Sequence, residues 1–143
     1  ASFGPEKQNY ENLDINEYNL ILNVNVFSPL LIILKALKGN KVEQIINITS
    51  EMGSISLNKD GDYYYYRTSK TLLNAITKNL SIDLLKKNIN IFCIHPGSVK
   101  TKMNTGGIIS AKRVSQKILN ICSENSLKYS GKFIDINKNI LKW

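Results

Sequence analysis

The stretch "VEQIINITS", residues 42–50, decides the fold. Val42, Ile45, Ile46 and Ile48 make a short β-branched run. Gly39-Asn40 bounds it on one side and Ser50 to Gly53 on the other. A short apolar run rich in β-branched residues and closed by turn formers reads as a buried strand. Two more follow, "INIFCIH" (89–95) and "GKFIDI" (131–136). Elsewhere the apolar period is helical. "DINEYNLILNVNVFSPLLIILKALKGN" (14–40) keeps that period through Leu37, and Asp14 with Glu17 has capping-box spacing. Pro29 lies inside it and predicts a kink or break near Asn25 to Ser28. A long helical pattern returns over 64–87 through Leu72, Leu73, Ile76, Leu80 and Leu84. A third, over 111–124, puts Val114, Ile118, Leu119 and Ile121 on one face. Residues 51–62 and "PGSVKTKMNTGG" (96–107) read as loops. Helices alternating with buried strands predict an α/β architecture, a parallel sheet with helices on both faces.

The 143 residues carry a net charge of +8, almost all from lysine. The lysines are scattered and no basic run is interleaved with aromatics, so nucleic acid is not expected as a partner. No run of 18 or more uncharged apolar residues occurs, so no membrane-crossing helix is expected either. "ASFGPEKQNY" lacks the apolar segment of a signal peptide. Cys93 and Cys122 have no metal-ligand spacing, and Cys93 sits in an apolar run as a buried thiol. Together they point to a reducing, cytoplasmic compartment. The one histidine, His95, has no Cys or His partner nearby, so a zinc site is not expected.

"YYYYRTSK" (63–70) raises a chemical question, since only Tyr66 has a lysine four residues on, Lys70. On a helix these share a face, and an ammonium beside a phenol favours the phenolate. By itself the pair is common in ordinary helices. Its context is more telling. Ser50 closes the strand of residues 42–49, and "HPGSVKT" (95–101) closes the next. Ligands of parallel sheets bind at the carboxyl ends of strands.

Taken together, "NVNV", "IINITSEMGS", "YRTSK" and "HPGSVKT" resemble the short-chain dehydrogenase/reductase family. Within it, "SEMGS", "YRTSKTLLN" and "SGKFIDINKNILKW" are similar to the C-factor-like carbonyl reductases, over essentially all 143 residues. The resemblance implies an NAD(P)-dependent oxidoreductase acting on a small-molecule carbonyl or alcohol, and it does not decide between NAD and NADP. It implies that Tyr66 is the general acid/base and that Lys70 favours its phenolate and holds the nicotinamide ribose. Ser50 would bind the substrate oxygen, and Asn25 would order a water in a proton relay. The loop from Pro96 and Gly97 would pass under the nicotinamide, with Val99 and Thr101 at its carboxamide. It also implies a homodimer through helices 15–38 and 64–87. The alternative is a non-catalytic role, because C-factor relatives have been associated with cell–cell signalling.

One family feature is missing. The phosphate-binding TGxxxGxG turn occurs nowhere in these residues, and "TGGI" (105–108) is late and too short. The first residue is not methionine, and "ASFGP" is similar to the segment following the family's central "NNAG" turn. The expectation is therefore the C-terminal portion of a Rossmann-type doubly wound fold, one partial domain over 1–143. Trp143 would be its natural end, and the fragment alone would be inactive. The strand of 42–49 is expected to lie at an unpaired sheet edge.

Overall fold

A computed structural model describes residues 8–39, 41–124 and 127–143. The segment "ASFGP" and Asn40, half of the expected helix stop, lie outside the described residues. Asp14 opens the first helix, α1 (Ile15–Leu22), and its carboxylate accepts the Asn16 N–H at 2.8 Å. The chain then widens into a π-turn at Asn23–Phe27 and continues as α2 (Ser28–Leu37). The break expected at Pro29 is thus an expanded turn. Pro29 cannot donate to the carbonyl four residues back, and the π-turn absorbs that lost bond. Ser28 N–H and Ser28 Oγ both reach the Asn23 carbonyl instead.

β1 (Gln44–Ile48) leads through a 3₁₀ turn (Glu51–Gly53) to α3 (Tyr64–Leu85) and β2 (Asn90–His95). Two short strands follow, β3 (Val99–Lys100) and β4 (Ile109–Ser110), paired in parallel. Both fall in or beside the expected 96–107 loop, and two-residue strands carry no period to read. Ser110 then caps α4 (Ala111–Cys122), its hydroxyl accepting from Arg113 N–H, and β5 (Phe133–Asp135) closes the order.

The main sheet has the order β1-β2-β5, all parallel, with Ile46 opposite Phe92 and Ile94 opposite Ile134. Alternation along β2 sends Phe92 and Ile94 to one face, where they pack with Val114 and Ile121 of α4. Ile91 goes to the other face, against Ile33 of α2 and Leu84 of α3. Each fully buried Ile or Phe contributes about 1.5–3 kcal/mol, so β2, buried on both faces, anchors the sheet. Among the described residues β1 is an edge strand, and Ile48 on it is 44% exposed.

The α1–α2 unit packs against α3, and Ile21 and Val26 on it are fully buried. Tyr18 stacks on Tyr65 at 5.1 Å, and Tyr65 Oη accepts the Asp14 N–H. The lack of an 18-residue uncharged apolar run does not keep every helix below membrane length. Residues Ile15–Leu37 form a 23-residue helix long and apolar enough to cross a membrane. Glu17, Lys35 and several asparagines interrupt it, which is why a search for unbroken apolar runs passed over it. In the fold this helix buries Ile21, Asn25, Val26 and Ile33, while Leu31 and Ile32 face outward.

After β5 the chain turns back. Ile140 bridges Ile134 antiparallel, Trp143 stacks on Phe133, and the Trp143 carbonyl accepts from Ser56 N–H and Ser56 Oγ. The tail therefore closes on the loop between β1 and α3.

Candidate active site

Ser50 stands at the carboxyl end of β1 with extended backbone, as N-cap of the 3₁₀ turn. Its Oγ accepts the Met52 N–H at 3.2 Å. The hydroxyl hydrogen therefore points elsewhere, and a hydroxyl already accepting one bond is a better donor of the next. Gly53 sets how closely this turn meets α3. A Cβ at residue 53 would lie 2.8 Å from the Lys70 carbonyl carbon and from Lys70 Cβ. The Gly53 carbonyl accepts from Thr71 Oγ1 at 2.9 Å and Asn74 Nδ2 at 3.2 Å. The Ser-x-x-Gly spacing is thus the spacing that docks the serine turn against the helix carrying Lys70.

The four tyrosines go to different places. Tyr64 is exposed, Tyr65 is buried against Tyr18, and Tyr63 and Tyr66 line the cavity. Tyr63 has left-handed backbone, with φ 51°. Its N–H donates to the Gln8 carbonyl, and Arg67 Nε donates to the carbonyls of Gly61 and Asp62 beside it. Lys70 follows one turn after Tyr66, with Nζ 5.6 Å from the Tyr66 ring centroid, within cation–π range. Lys70 is only 4% exposed. Burial lowers its pKa to about 8, partly opposed by the nearby Cys93 thiol. Nζ lies 3.4 Å from the Ile48 carbonyl.

Asn25, fully buried in the π-turn, donates through Nδ2 to Ser69 Oγ at 3.1 Å, and Ser69 Oγ donates to the Tyr66 carbonyl at 2.8 Å. Beyond β2, Gly97 takes φ +77°, and a Cβ there would meet Ile109 Cδ1 at 3.1 Å. Thr101 Oγ1 accepts the Asn104 N–H, and Asn104 Nδ2 donates to Ser98 Oγ, which folds the loop back over the strand ends.

One cavity of about 870 Å³ is bounded by Asn25, Ser50, Tyr66, Lys70, Pro96, Gly97, Val99 and Thr101. That volume suits a cofactor or drug-sized ligand. Tyr63 also lines it, as do Met52, His95, Met103 and Asn104, which sequence reasoning missed as a group. Their flanking of Ser50, Tyr66 and Pro96 was the available signal. Among the described residues no His, Cys, Asp or Glu cluster could hold a metal. Both cysteines are free, with Cys93 buried as expected.

A serine at one strand end, a Tyr-x-x-x-Lys helix beside it and a Pro-Gly loop at the next strand end define a reductase class. The family described as enoyl-(acyl carrier protein) reductase matches residues 1–138, and the chain belongs to the short-chain dehydrogenase/reductase family. It is 29% identical to C-signal of Myxococcus xanthus over 124 residues, covering 84% of this chain and 75% of that protein. It is 26% identical to the oxidoreductase YgfF of Escherichia coli, covering 88% of this chain and 60% of that one. Among solved structures, the carbonyl reductase Sniffer of D. melanogaster superposes with a TM-score of 0.90 at 30% identity, over all of this chain and 64% of Sniffer. The NADPH-bound carbonyl reductase from chicken fatty liver gives 0.81 at 28% identity, over 95% of this chain and 61% of that one. The chain thus spans about 60% of these two solved relatives. The family and the carbonyl reductase neighbours make it oxidoreductase-like with a partial α/β fold.

Proposed function

We propose that residues 1–143 carry the proton-transfer and substrate half of an NAD(P)-dependent carbonyl reductase. The observation that carries this reading is that Ser50, Tyr66, Lys70 and Asn25 border one cavity although they come from three separate elements. The residues fit the nicotinamide end of a dinucleotide. A lysine ammonium has three N–H donors, and the Ile48 carbonyl can take one of them. The others suit ribose hydroxyls, and Gly97 keeps the loop beneath free of a side chain. The chicken carbonyl reductase, similar to this chain, is NADPH-bound.

In the reductive direction, the Ser50 hydroxyl donates to the substrate carbonyl oxygen and fixes its position. The Tyr66 phenol transfers its proton to that oxygen as negative charge develops there. The Lys70 ammonium stabilises the resulting phenolate electrostatically. Asn25 holds the helix turn facing the relay through Ser69. When bound, the nicotinamide supplies the hydride, or accepts it in the oxidative direction.

No glycine-rich turn occurs in these residues, so the chain alone binds dinucleotide weakly and does not turn over. Outward-facing Leu31, Ile32, Ile82 and Leu85 support a homodimer through the long helices. The free cysteines support a reducing, cytoplasmic setting. A non-catalytic signalling or interaction role is the second reading, favoured by the likeness to C-signal.

The test is NADPH and NADH oxidation with a reactive aldehyde or ketone, in a chain extended to carry a glycine-rich dinucleotide turn. Turnover lost in both Ser50→Ala and Tyr66→Phe is expected. Absence of turnover with either cofactor across a panel of carbonyls would favour the second reading. Micromolar NADPH binding with turnover by residues 1–143 alone would contradict the partial-site reading.

A further inference from the structure

We infer that His95 is the positioning residue for Ser50, its imidazole holding the Glu51 N–H with a proton-free Nδ1 and so clamping the serine turn across the strand ends. This rests on the reading of Ser50 as the group that binds the substrate oxygen.

The first N–H groups of a helical turn have no partner within the ladder. Here Met52 N–H is taken by Ser50 Oγ, Gly53 N–H by the Ser50 carbonyl and Ser54 N–H by the Glu51 carbonyl. Glu51 N–H instead crosses from the end of β1 to the end of β2 and donates to His95 Nδ1 at 3.1 Å. Thr49 N–H already ties the near side of Ser50 to the Ile94 carbonyl of β2 at 2.8 Å, and the His95 bond ties the far side, one residue before the Pro96-Gly97 loop.

An imidazole nitrogen accepts only when it carries no proton. The bond therefore selects the neutral ring with hydrogen on Nε2. Nε2 lies 3.7 Å from Glu51 Oε1, beyond hydrogen-bond distance, so the Glu51 N–H is the contact that fixes the neutral ring. The ionisable groups that face the ring are Glu51 from the turn and Asp135, its register partner on β5. The Asp135 carboxylate already accepts from Asn137 N–H, Asn139 N–H and Asn139 Nδ2. Both acids favour the imidazolium, but burial outweighs them and lowers the His95 pKa, which keeps the accepting form at neutral pH.

Protonation turns Nδ1 into a donor aimed at another donor. The Glu51 N–H bond is lost, and the turn after Ser50 keeps its tie to β2 only on the Thr49 side. Activity should therefore have an acid limb that belongs to His95. A histidine that only filled space at a strand end would affect stability and leave no such limb.

His95 is the single histidine of the sequence, so its ring nitrogens are assigned directly in ¹H–¹⁵N spectra of the chain. The expected result is the Nε2–H tautomer at neutral pH, a titration midpoint below the ordinary value of about 6.5, and a Glu51 amide shift that follows the same midpoint. An Nδ1–H tautomer, or a Glu51 amide indifferent to the ring, would overturn the inference. In the extended enzyme, His95→Ala should lower kcat about tenfold at neutral pH, leave the KM for NADPH nearly unchanged and remove the acid limb. His95→Asn, whose Oδ1 can accept the same N–H, should recover most of kcat, again without the limb. Should His95→Ala fail to fold, the asparagine variant and the wild-type titration decide. Full activity in Ser50→Ala overturns the catalytic reading and the function drawn from it here. Loss of activity in Ser50→Ala with an intact acid limb in His95→Ala overturns the positioning role alone.

Discussion

Asn25 and Ser69 are joined by a 3.1 Å hydrogen bond that ties the π-turn of the first helical unit to the helix bearing Tyr66 and Lys70. Ser69 passes the link to the Tyr66 carbonyl. Both side chains are almost fully buried, Asn25 at 1% and Ser69 at 0% exposure, so the bond is shielded from bulk solvent.

Replacing Asn25 by alanine leaves the Ser69 hydroxyl without its donor in a buried position. Such a loss costs about 1–3 kcal/mol. Urea unfolding of Asn25→Ala should show that decrease, and kcat of the extended enzyme should fall with it. An unchanged midpoint would mean that the π-turn is held by its backbone alone.

Among the four tyrosines only Tyr66 combines a cavity position with a lysine one turn on. Tyr66→Phe should lower kcat/KM by about 10²–10⁴, the usual range for a lost general acid. Tyr64→Phe alters an exposed ring and should keep most activity. Steady-state kinetics on the two variants separates them, and equal losses would mean that the wrong phenol has been chosen.

Lys70 places a charge where the fold would prefer none. Burial lowers its pKa to about 8, below that of an unfolded lysine, about 10.4. The unfolded chain therefore binds more protons between those values. The stability penalty is fully present below pH 8 and fades as pH rises toward 10.4. Lys70→Met should accordingly be more stable at pH 7, on the order of 2 kcal/mol, and catalytically dead. Its advantage in thermal unfolding should shrink at pH 10, and an advantage independent of pH would contradict the assignment.

Gly53 leaves no room for a methyl group. A Cβ there, 2.8 Å from two Lys70 atoms, forces the serine turn and α3 apart. Gly53→Ala should cost about 1–3 kcal/mol, the usual penalty of overpacking. It should also reduce turnover more than NADPH affinity, because it moves Ser50 relative to Tyr66. Wild-type kinetics in this variant would show that the turn can slide without consequence.

Much of this protein is written locally. The apolar runs at 45–48 and 91–94 became β1 and β2 because side-chain period and buried faces are properties of a few consecutive residues. The helical period placed Tyr66 and Lys70 one above the other, since an i, i+4 pair needs no information beyond the helix. Ser50 and Pro96 were legible as strand ends for the same reason. Other features depended on segments far apart in the chain. Which tyrosine is buried depends on where α3 docks on Tyr18. The Gly53 contact depends on how closely the serine turn meets α3. His95 meets Glu51 because β1 and β2 lie side by side in parallel register, and Ser56 meets Trp143 because the tail folds back on β5. The membrane-length helix of residues 15–37 shows the same division. Composition alone matches a bilayer span, whereas only the packed structure shows Asn25 turned inward to Ser69. Spacing along the chain determines which residues share a face. Which faces meet depends on close packing between elements, and that is set by all the contacting surfaces at once.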